Sequence, residues 1–327
     1  MIVVKHIPIV DMHADLPHEV MKQREGRAHR VLEHRFLDLF RKGWVSTVIS
    51  PIWLPFQYKP NGLKRGLQIA EAFLEDVNEC KAFRLVTNYK ELVAAERQRK
   101  IGLILGCEGG EIIEDDVNLL HIYYQLGLRV FGFMWNQRNL LADGWDHVDD
   151  DQGLSDFGKR VVEELNRIRV LIDLAHMAPK GWWDVINTTK QPLIVSHTST
   201  CARPDPSRRA MTDDQLRAVA DNGGLVGIIA IYSERVIRSI PDLSAYCDHI
   251  EHIVEVAGIE HAALGPDFGY FLVGALADDD SQPVKNLEDH SKLKDILVEL
   301  SRRGMSEKEV RMIARDNFVR VFRKVVG

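Results

Sequence analysis

Five short apolar runs in this chain each lead to a histidine or an acidic residue. The residues at or just beyond the ends of these runs are His13 with Asp15, Glu108, His176, His197 and Asp267. Imidazole and carboxylate groups are common protein ligands of zinc and related divalent ions. Ligand-type residues that recur in this way, in segments far apart in the sequence, predict one metal site assembled by the fold.

The spacing of these residues suggests how they would share metal ions. His13 and Asp15 stand at positions i and i+2, so both side chains leave the same face of an extended strand and can bind one metal together. Glu108 has two carboxylate oxygens and could bridge to a second metal, which His176 and His197 would complete. Zinc suits this mixed ligand set, with bond lengths of about 2.0–2.2 Å, although other divalent ions use similar ligands.

The chemistry expected of such a centre is hydrolysis. Two metal ions about 3.5–4 Å apart would acidify a shared water, polarise a carbonyl and stabilise the tetrahedral oxyanion. Asp267 would orient or deprotonate the bridging water and return the proton to a leaving amine. Asp267 and the bridging Glu108 are therefore the candidate catalytic carboxylates.

Each of these residues has an ordinary alternative role when it is considered alone. A histidine near a strand end is more often hydrogen-bonded to backbone or solvent than to a metal ion. The agreement among five strand ends favours a functional site. Other histidines lack this placement, and we interpret the following as surface or packing residues: His6, His18, His29, His34, His249 and His252.

The candidate ligands need a fold that brings the ends of separate strands together. Strand-like apolar runs are predicted near residues 7–12, 44–50, 101–106, 128–134, 169–174, 192–196, 225–231 and 262–266. Amphipathic stretches with helical spacing lie between them, at residues 31–42, 63–82, 117–126, 157–167 and 212–222. This alternation predicts an α/β fold with a parallel sheet, in the form of a (β/α)₈ TIM-type barrel with its active site at the carboxyl ends of the strands.

The chain is predicted to form a single metal-dependent hydrolase barrel domain over residues 1–327. Its final segment, residues 291–327, is predicted to be two helices, divided at residues 303–306, that pack on the barrel. Two helix starts carry the sequence of a capping box. In this motif a Ser or Thr side chain accepts a hydrogen bond from the backbone of a Gln or Glu three residues later, whose side chain accepts one from the backbone of the Ser or Thr. These pairs are Thr212 with Gln215 and Ser306 with Glu309.

Composition limits the classes of partner. The chain has 327 residues, 45% of them apolar, and a net charge of −6. Lys and Arg are dispersed among acidic residues, so no basic surface for nucleic acid or membrane is predicted, and a small molecule is the expected partner. No signal-type or membrane-length apolar segment is evident, and a cytoplasmic location is the default expectation. A monomer and a homodimer both remain open.

The motifs around the candidate ligands resemble those of the membrane dipeptidase (renal dipeptidase) family, peptidase family M19. The similar segments are Asp-Met-His-Ala-Asp-Leu-Pro at 11–17, Cys-Glu-Gly-Gly at 107–110, Asp-Leu-Ala-His at 173–176, Ser-His-Thr-Ser at 196–199, Ser-Arg-Arg at 207–209 and Gly-Pro-Asp-Phe at 265–268. The resemblance extends over nearly the whole chain. It implies an amidohydrolase-like barrel that hydrolyses dipeptides with two zinc ions per chain. One zinc ion would be bound by His13, Asp15 and Glu108, and the other by Glu108, His176 and His197.

The resemblance also implies roles for residues around the substrate. Asp267 would be the proton-handling carboxylate, and Arg209 would hold the substrate carboxylate, with Arg208 as its near competitor. An arginine suits this task because its planar guanidinium donates two parallel hydrogen bonds. Trp135 stands where the animal enzymes have a substrate-contacting histidine, and it is a further candidate for substrate binding.

Departures from the family pattern leave the substrate open. Beside Trp135, these departures are Ala210, in place of an asparagine, and Gly269, in place of a second aspartate. The leading prediction is a binuclear zinc dipeptidase in which a metal-bridging hydroxide attacks the peptide bond, with L-D dipeptides as candidate substrates beside L-L dipeptides. The alternatives are a related amidohydrolase that acts on an N-acyl amino acid, a lactam or a specialised metabolite, and a non-catalytic, metal-stabilised binding protein. The intact Asp267 argues against the last of these.

Overall fold

The candidate site lies on a parallel sheet that curls into a barrel. The computed structural model describes residues 6–202, 209–233, 237–271 and 281–327. The strands are β1 Ile9–Asp11, β2 Val45–Trp53, β3 Phe83–Leu85, β4 Ile101–Glu108, β5 Leu128–Gly132, β6 Leu171–Asp173, β7 Ile194–Thr198, β8 Leu225–Ile228, β9 Ile231–Tyr232, β10 Ala262–Leu264 and β11 Gln282–Pro283. Among the described residues, the barrel strands follow the order β1-β2-β4-β5-β6-β7-β8-β10.

The ends of this sheet approach each other, so the predicted (β/α)₈ barrel is confirmed. The backbone N–H of Met12, just after β1, donates a hydrogen bond of 2.9 Å to the carbonyl oxygen of Leu264 at the end of β10. Each of the eight predicted runs overlaps one barrel strand, and β2, β4 and β7 extend two or three residues past the predicted ends. The carboxyl ends of these strands consequently lie at the same end of the barrel, where the candidate ligands were expected.

Strand β3 was not predicted. The helix expected over residues 63–82 ends at Glu79, and Phe83 then pairs in parallel with Ile101 at the start of β4. Unlike the short strands β1, β6 and β10, β3 does not lie in a continuous apolar run, because Arg84 separates Phe83 from Leu85. Its pairing depends on contact with β4, which is a tertiary interaction.

Helices surround the barrel. They are α1 Leu16–Glu25, α2 Leu37–Lys42, α3 Gly62–Glu79, α4 Tyr89–Arg97, α5 Leu119–Gln125, α6 Asp156–Ile168, α7 Pro179–Thr188, α8 Asp213–Asn222, α9 Leu243–Ala257, α10 Leu293–Arg302, α11 Glu307–Arg311 and α12 Asn317–Val325. Both predicted capping boxes are present, at the starts of α8 and α11. Helix α8 ends at Asn222, the predicted bound, and the next residue, Gly223, has a φ of 79° in the left-handed region that glycine tolerates. A π-helical turn at Met312–Asp316 joins α11 to α12.

Helix α12 closes the amino-terminal end of the barrel. Its residues Phe318, Val321, Phe322 and Val325 are buried in one cluster with inward-facing strand residues. The barrel residues in this cluster are Met12, just after β1, and the strand residues Val10, Ile49, Ile104, Val130, Leu171, Ile194, Leu225 and Ala263. Arg320 also donates hydrogen bonds to the carbonyl oxygens of Gly223 and Glu260, which precede β8 and β10. The predicted packing of the C-terminal helices on the barrel is therefore confirmed.

A small antiparallel ribbon lies outside the barrel sheet. In it Gln282 pairs with Tyr232 and Pro283 pairs with Ile231. Because β9 follows closely after β8, the ribbon stands beyond the carboxyl end of the barrel. No described helix combines the length and apolarity that crossing a bilayer would need.

Gly265, just after β10, permits a close approach that the site requires. A Cβ atom at this position would lie 1.7 Å from the carbonyl oxygen of Ser196 on β7. We expect Gly265→Ala to lower the free energy of unfolding by at least the roughly 1–3 kcal/mol typical of overpacking. Urea denaturation would measure this effect. Gly269→Ala is the control, because a Cβ there meets no atom within 4 Å; equal stability of the two variants would contradict the prediction.

Candidate metal centre and substrate cavity

The barrel brings the six residues predicted for the metal centre together at its carboxyl end. His13 and Asp15 follow β1, Glu108 ends β4, His176 follows β6, His197 lies in β7 and Asp267 follows β10. The first five of these side chains are buried, and the side chain of Asp267 is 14% exposed. The structure thus places every predicted metal ligand in one cluster, while their action as ligands remains a prediction.

Glu108 stands between two groups of candidate ligands. His13 and Asp15 form the first ligand group, and His176 and His197 form the second ligand group. Its Oε2 atom lies 3.7 Å from Nε2 of His13. Its Oε1 atom lies 2.9 Å from Nε2 of His176 and 3.7 Å from Nε2 of His197. Because each oxygen faces a different group, this carboxylate is suited to bridge two metal ions.

Asp267 also spans both groups. Its Oδ1 atom lies 3.7 Å from Nε2 of His13, and its Oδ2 atom lies 3.8 Å from Nε2 of His197. One potential ligand atom from each of these three residues lies within 4.8 Å of the others. The carboxylate expected to handle protons is therefore also close enough to approach a metal ion.

The polar atoms of the cluster fit a divalent cation. Nε2 of His13 and Oδ1 of Asp15 are buried and have no hydrogen-bond partner among the described residues. Nε2 of His176 and Nε2 of His197 face each other at 2.7 Å. Buried polar groups without partners are costly, and the Nε2 atoms of His176 and His197 converge on one region of the cluster. Divalent cations bound by the two groups of ligands would satisfy these atoms.

Two neighbouring side chains orient the histidines of the second group. Nδ1 of His176 lies 2.8 Å from Oδ1 of Asn136, and Nδ1 of His197 lies 2.9 Å from Oγ of Ser196. An imidazole that donates its Nδ1–H to such an acceptor keeps the Nε2 lone pair free for a metal. Sequence reasoning assigned no role to Asn136 or Ser196, although Ser196 precedes a predicted ligand directly.

The charged groups of the cluster affect one another strongly. Burial opposes protonation of His13, but the nearby carboxylates of Glu108 and Asp267 outweigh it and hold the pKa of His13 well above its ordinary value. Burial lowers the pKa of His176 and of His197, which keeps both imidazoles neutral. Burial raises the pKa of Asp267 to about 7, so this carboxyl can hold a proton near neutral pH.

The backbone is unusual at two of these positions. His176 has a φ of 64° and Asp267 has a φ of 50°, both in the left-handed region that non-glycine residues rarely adopt. Such conformations cost about 1–3 kcal/mol and persist where the surrounding structure imposes them, often at functional sites. The strain is consistent with side chains that are held in place for a purpose other than folding.

A cavity of about 420 Å³ opens directly onto the cluster. Trp53 and Trp135 form one aromatic wall, with their ring centroids 5.5 Å apart. Further apolar side chains that line the cavity are Ile229, Ala230, Ile231, Ile237, Phe268 and Tyr270. The indole N–H of Trp53 is buried without a hydrogen-bond partner among the described residues. Sequence reasoning identified Trp135 but missed Trp53, because β2 extends beyond the predicted end at residue 50.

Arg209 supplies a positive charge to the cavity. Its Nη2 atom lies 3.1 Å from Nδ1 and 3.3 Å from Nε2 of His176. These similar distances mean that the guanidinium is not in line with the lone pair of either nitrogen. Arg209 therefore lies beside the second ligand group, and its binding of a substrate carboxylate stays a prediction. Arg208, the other arginine considered for this role, lies outside the described residues.

The contact between Asn136 and His176 can be tested through metal binding. Asn136→Ala removes the acceptor for Nδ1–H and should weaken metal affinity about 10–100-fold. Asn136→Asp keeps an acceptor oxygen at the same position and should bind metal nearly as tightly as the wild type. Titration of metal-depleted protein against a competing chelator would measure both. Unchanged affinity in Asn136→Ala would show that this contact does not orient the ligand.

Comparison with solved structures supports the fold. Dipeptidase AC, a metallopeptidase of family M19, superposes with a TM-score of 0.87 at 21% identity, covering 99% of this chain and 100% of the other. A metallopeptidase from Rhodobacter sphaeroides, liganded with a phosphinate mimic of the dipeptide L-Ala-D-Ala, also has a TM-score of 0.87 at 21% identity, covering 98% and 100%. An amidohydrolase from Pseudomonas aeruginosa has a TM-score of 0.83 at 22% identity, covering 98% and 97%. At these identities, the likeness shows a shared fold.

The match in sequence identifies the family, whereas these superpositions identify the fold. The family model of membrane dipeptidases, peptidase family M19, matches residues 1–326, which is nearly the whole chain. The chain therefore belongs to the membrane dipeptidase family and is a hydrolase of the metallo-dipeptidase class.

Proposed function

We propose that this protein hydrolyses dipeptides with two divalent metal ions, zinc being the first candidate. The observation that carries the proposal is the position of Glu108, whose two oxygens face separate groups of buried ligand atoms. His13 and Asp15 would hold the first ion with Glu108. His176 and His197 would hold the second ion with Glu108.

The residues around the metals would divide the chemical work. When bound, two such ions would supply an acidified water and polarise the scissile carbonyl. Asp267 faces both ligand groups, and burial raises its pKa to about 7, so it can accept a proton and deliver it to the leaving amine. Proton transfer by a positioned carboxyl of this kind contributes about 10²–10⁴-fold to a rate.

The cavity favours a small substrate with a free carboxylate. Its volume of about 420 Å³ is typical of small-molecule sites, and α12 fills the opposite end of the barrel. Arg209 lies beside His176, where it can bind a terminal carboxylate while the peptide bond lies over the ligand cluster. We propose dipeptides of both L-L and L-D configuration as candidate substrates.

A second candidate function has a specific basis in the cavity wall. The apolar and aromatic residues around the cluster include Trp53, Trp135 and Ile237, which suit an acyl group as well as an amino acid side chain. An amidohydrolase that cleaves N-acyl amino acids or lactams would use the same metals and Arg209. A panel containing L-L and L-D dipeptides, N-acyl amino acids and lactams, assayed with added zinc, would distinguish the two functions.

Comparing substitutions of the metal ligands with a substitution of Asp267 should separate metal binding from proton transfer. Glu108→Gln or His197→Ala should reduce the metal content to at most one ion per chain and abolish turnover. Asp267→Asn should keep both ions while kcat falls about 10²–10⁴-fold. Elemental analysis and dipeptide hydrolysis would be measured on the same samples. His252→Ala, on the outer helix α9, is the control and should match the wild type in both; full activity in Glu108→Gln would refute the proposal.

The role of Arg209 can be isolated by changing the substrate. Arg209→Met should raise KM for a dipeptide, because a charge-assisted contact to its carboxylate is lost. Hydrolysis of the matching dipeptide amide, which has no carboxylate, should be much less affected by the substitution. Steady-state kinetics on the two substrates give this comparison. An equal loss on both substrates would mean that Arg209 supports the cluster and does not bind the carboxylate.

A further inference from the structure

A buried imidazole connects two parts of the site that are far apart in sequence. Nε2 of His290 lies 3.1 Å from Oδ2 of Asp11, a residue 279 positions earlier in the chain. Nδ1 of His290 lies 2.9 Å from the hydroxyl oxygen of Tyr270. The side chains of His290 and Asp11 are both fully buried. Both nitrogens of His290 are therefore engaged, one by each partner.

One arrangement of protons satisfies all three side chains. Burial raises the pKa of Tyr270, so this residue remains a phenol with one hydrogen to donate. If the hydroxyl donates to Nδ1 of His290, the Nε2–H of the same ring donates to the carboxylate of Asp11. A chain of directed hydrogen bonds of this kind is strong inside a protein, where competing water is excluded.

The imidazole is also clamped by its surroundings. Its ring packs edge-on against Phe40 at 4.7 Å and against Phe268 at 4.8 Å between centroids. The carbonyl oxygen of His290 would lie only 1.8 Å from a Cβ atom added at Gly43, so the backbone is closely packed as well. Because its ring and its backbone are both held in place, His290 can fix the position of Tyr270 relative to Asp11.

Each end of this connection reaches a segment of the candidate site. Oδ1 of Asp11 accepts a hydrogen bond of 2.9 Å from the backbone N–H of His13. Tyr270 lines the cavity and lies in the short 3₁₀ turn Gly269–Phe271, just after Asp267. His290 therefore links the strand end that carries the first ligand group to the loop that carries the proton-handling carboxylate.

We propose that His290 is a positioning residue for the reaction, because it sets the loop of Asp267 relative to the strand end of His13. The inference rests on the proposed function, in which these two residues act on the same substrate. A displacement of about 1 Å between groups that act on one substrate can lower the rate roughly 10²-fold. Asp11 and Tyr270 are the two contacts through which His290 acts.

We expect loss of the Tyr270 contact alone and loss of both contacts to differ in their effect on metal affinity. Tyr270→Phe removes only the hydroxyl that binds His290, so kcat should fall about 10–100-fold while KM and metal affinity stay near the wild-type values. His290→Phe keeps a ring between the two phenylalanines but removes both contacts. It should show the same loss in kcat and, in addition, a metal affinity about 10–100-fold weaker, because Asp11 and the backbone of His13 lose their support.

The experiment measures kcat, KM, metal affinity and thermal stability for the two single variants and for the double variant. The double variant should be no slower than His290→Phe, because both changes break the same connection. Tyr123→Phe is the matched control: it removes another buried tyrosine hydroxyl, bonded to the carbonyl oxygen of Leu63 away from the cavity, and kcat should be unchanged.

Several outcomes would overturn the inference. Wild-type kcat in Tyr270→Phe would do so, and this conservative variant remains informative if His290→Phe fails to fold. Additive losses in the double variant would also contradict it. If the wild-type protein binds two metal ions but cleaves no dipeptide, the proposed function fails separately, and the metal affinity of His290→Phe still decides whether His290 supports the first ligand group.

Discussion

The concentration of buried negative charge around one imidazole is the constraint on which the rest of this structure depends. Asp15, Glu108 and Asp267 each place a carboxylate oxygen within 3.8 Å of Nε2 of His13. Such crowding disfavours ionisation, and burial accordingly raises the pKa of Glu108 and of Asp267. Divalent cations would reverse this penalty, since the carboxylates could then ionise together.

In the barrel, apolar packing and the candidate ligands lie at opposite ends. At the amino-terminal end, α12 fills the interior with Phe318 and Phe322, which are buried together with apolar side chains of the strands. At the carboxyl end, the buried side chains include the candidate ligands His13, Asp15, Glu108, His176 and His197. The apolar end contributes folding free energy that can offset the strained backbone of His176 and Asp267.

The parts of this structure that sequence reasoning could predict are those encoded by local pattern. Buried strands appear as continuous apolar runs, and the capping box of α8 lies within four consecutive residues. The ligands could be predicted because each follows such a run. Strand β3 could not, because Arg84 interrupts its apolar residues and the strand pairs through contact with β4. The role of His290 was also hidden, because its partner Asp11 lies 279 positions away and nothing near His290 in sequence indicates the contact.

The orienting residues explain why the motifs of this site are contiguous although the site is not. Ser196 precedes His197 and accepts from its Nδ1, and Asp11 accepts from the backbone of His13 two positions later. Asn136, which contacts Nδ1 of His176 from the loop after β5, directly follows Trp135 of the cavity wall. For His13 and His197, the ligand and the group that orients it thus lie within one short segment, whereas His176 depends on a residue from a distant segment. Because a metal site depends on ligand direction as much as on ligand identity, each of these short segments contributes both to the site.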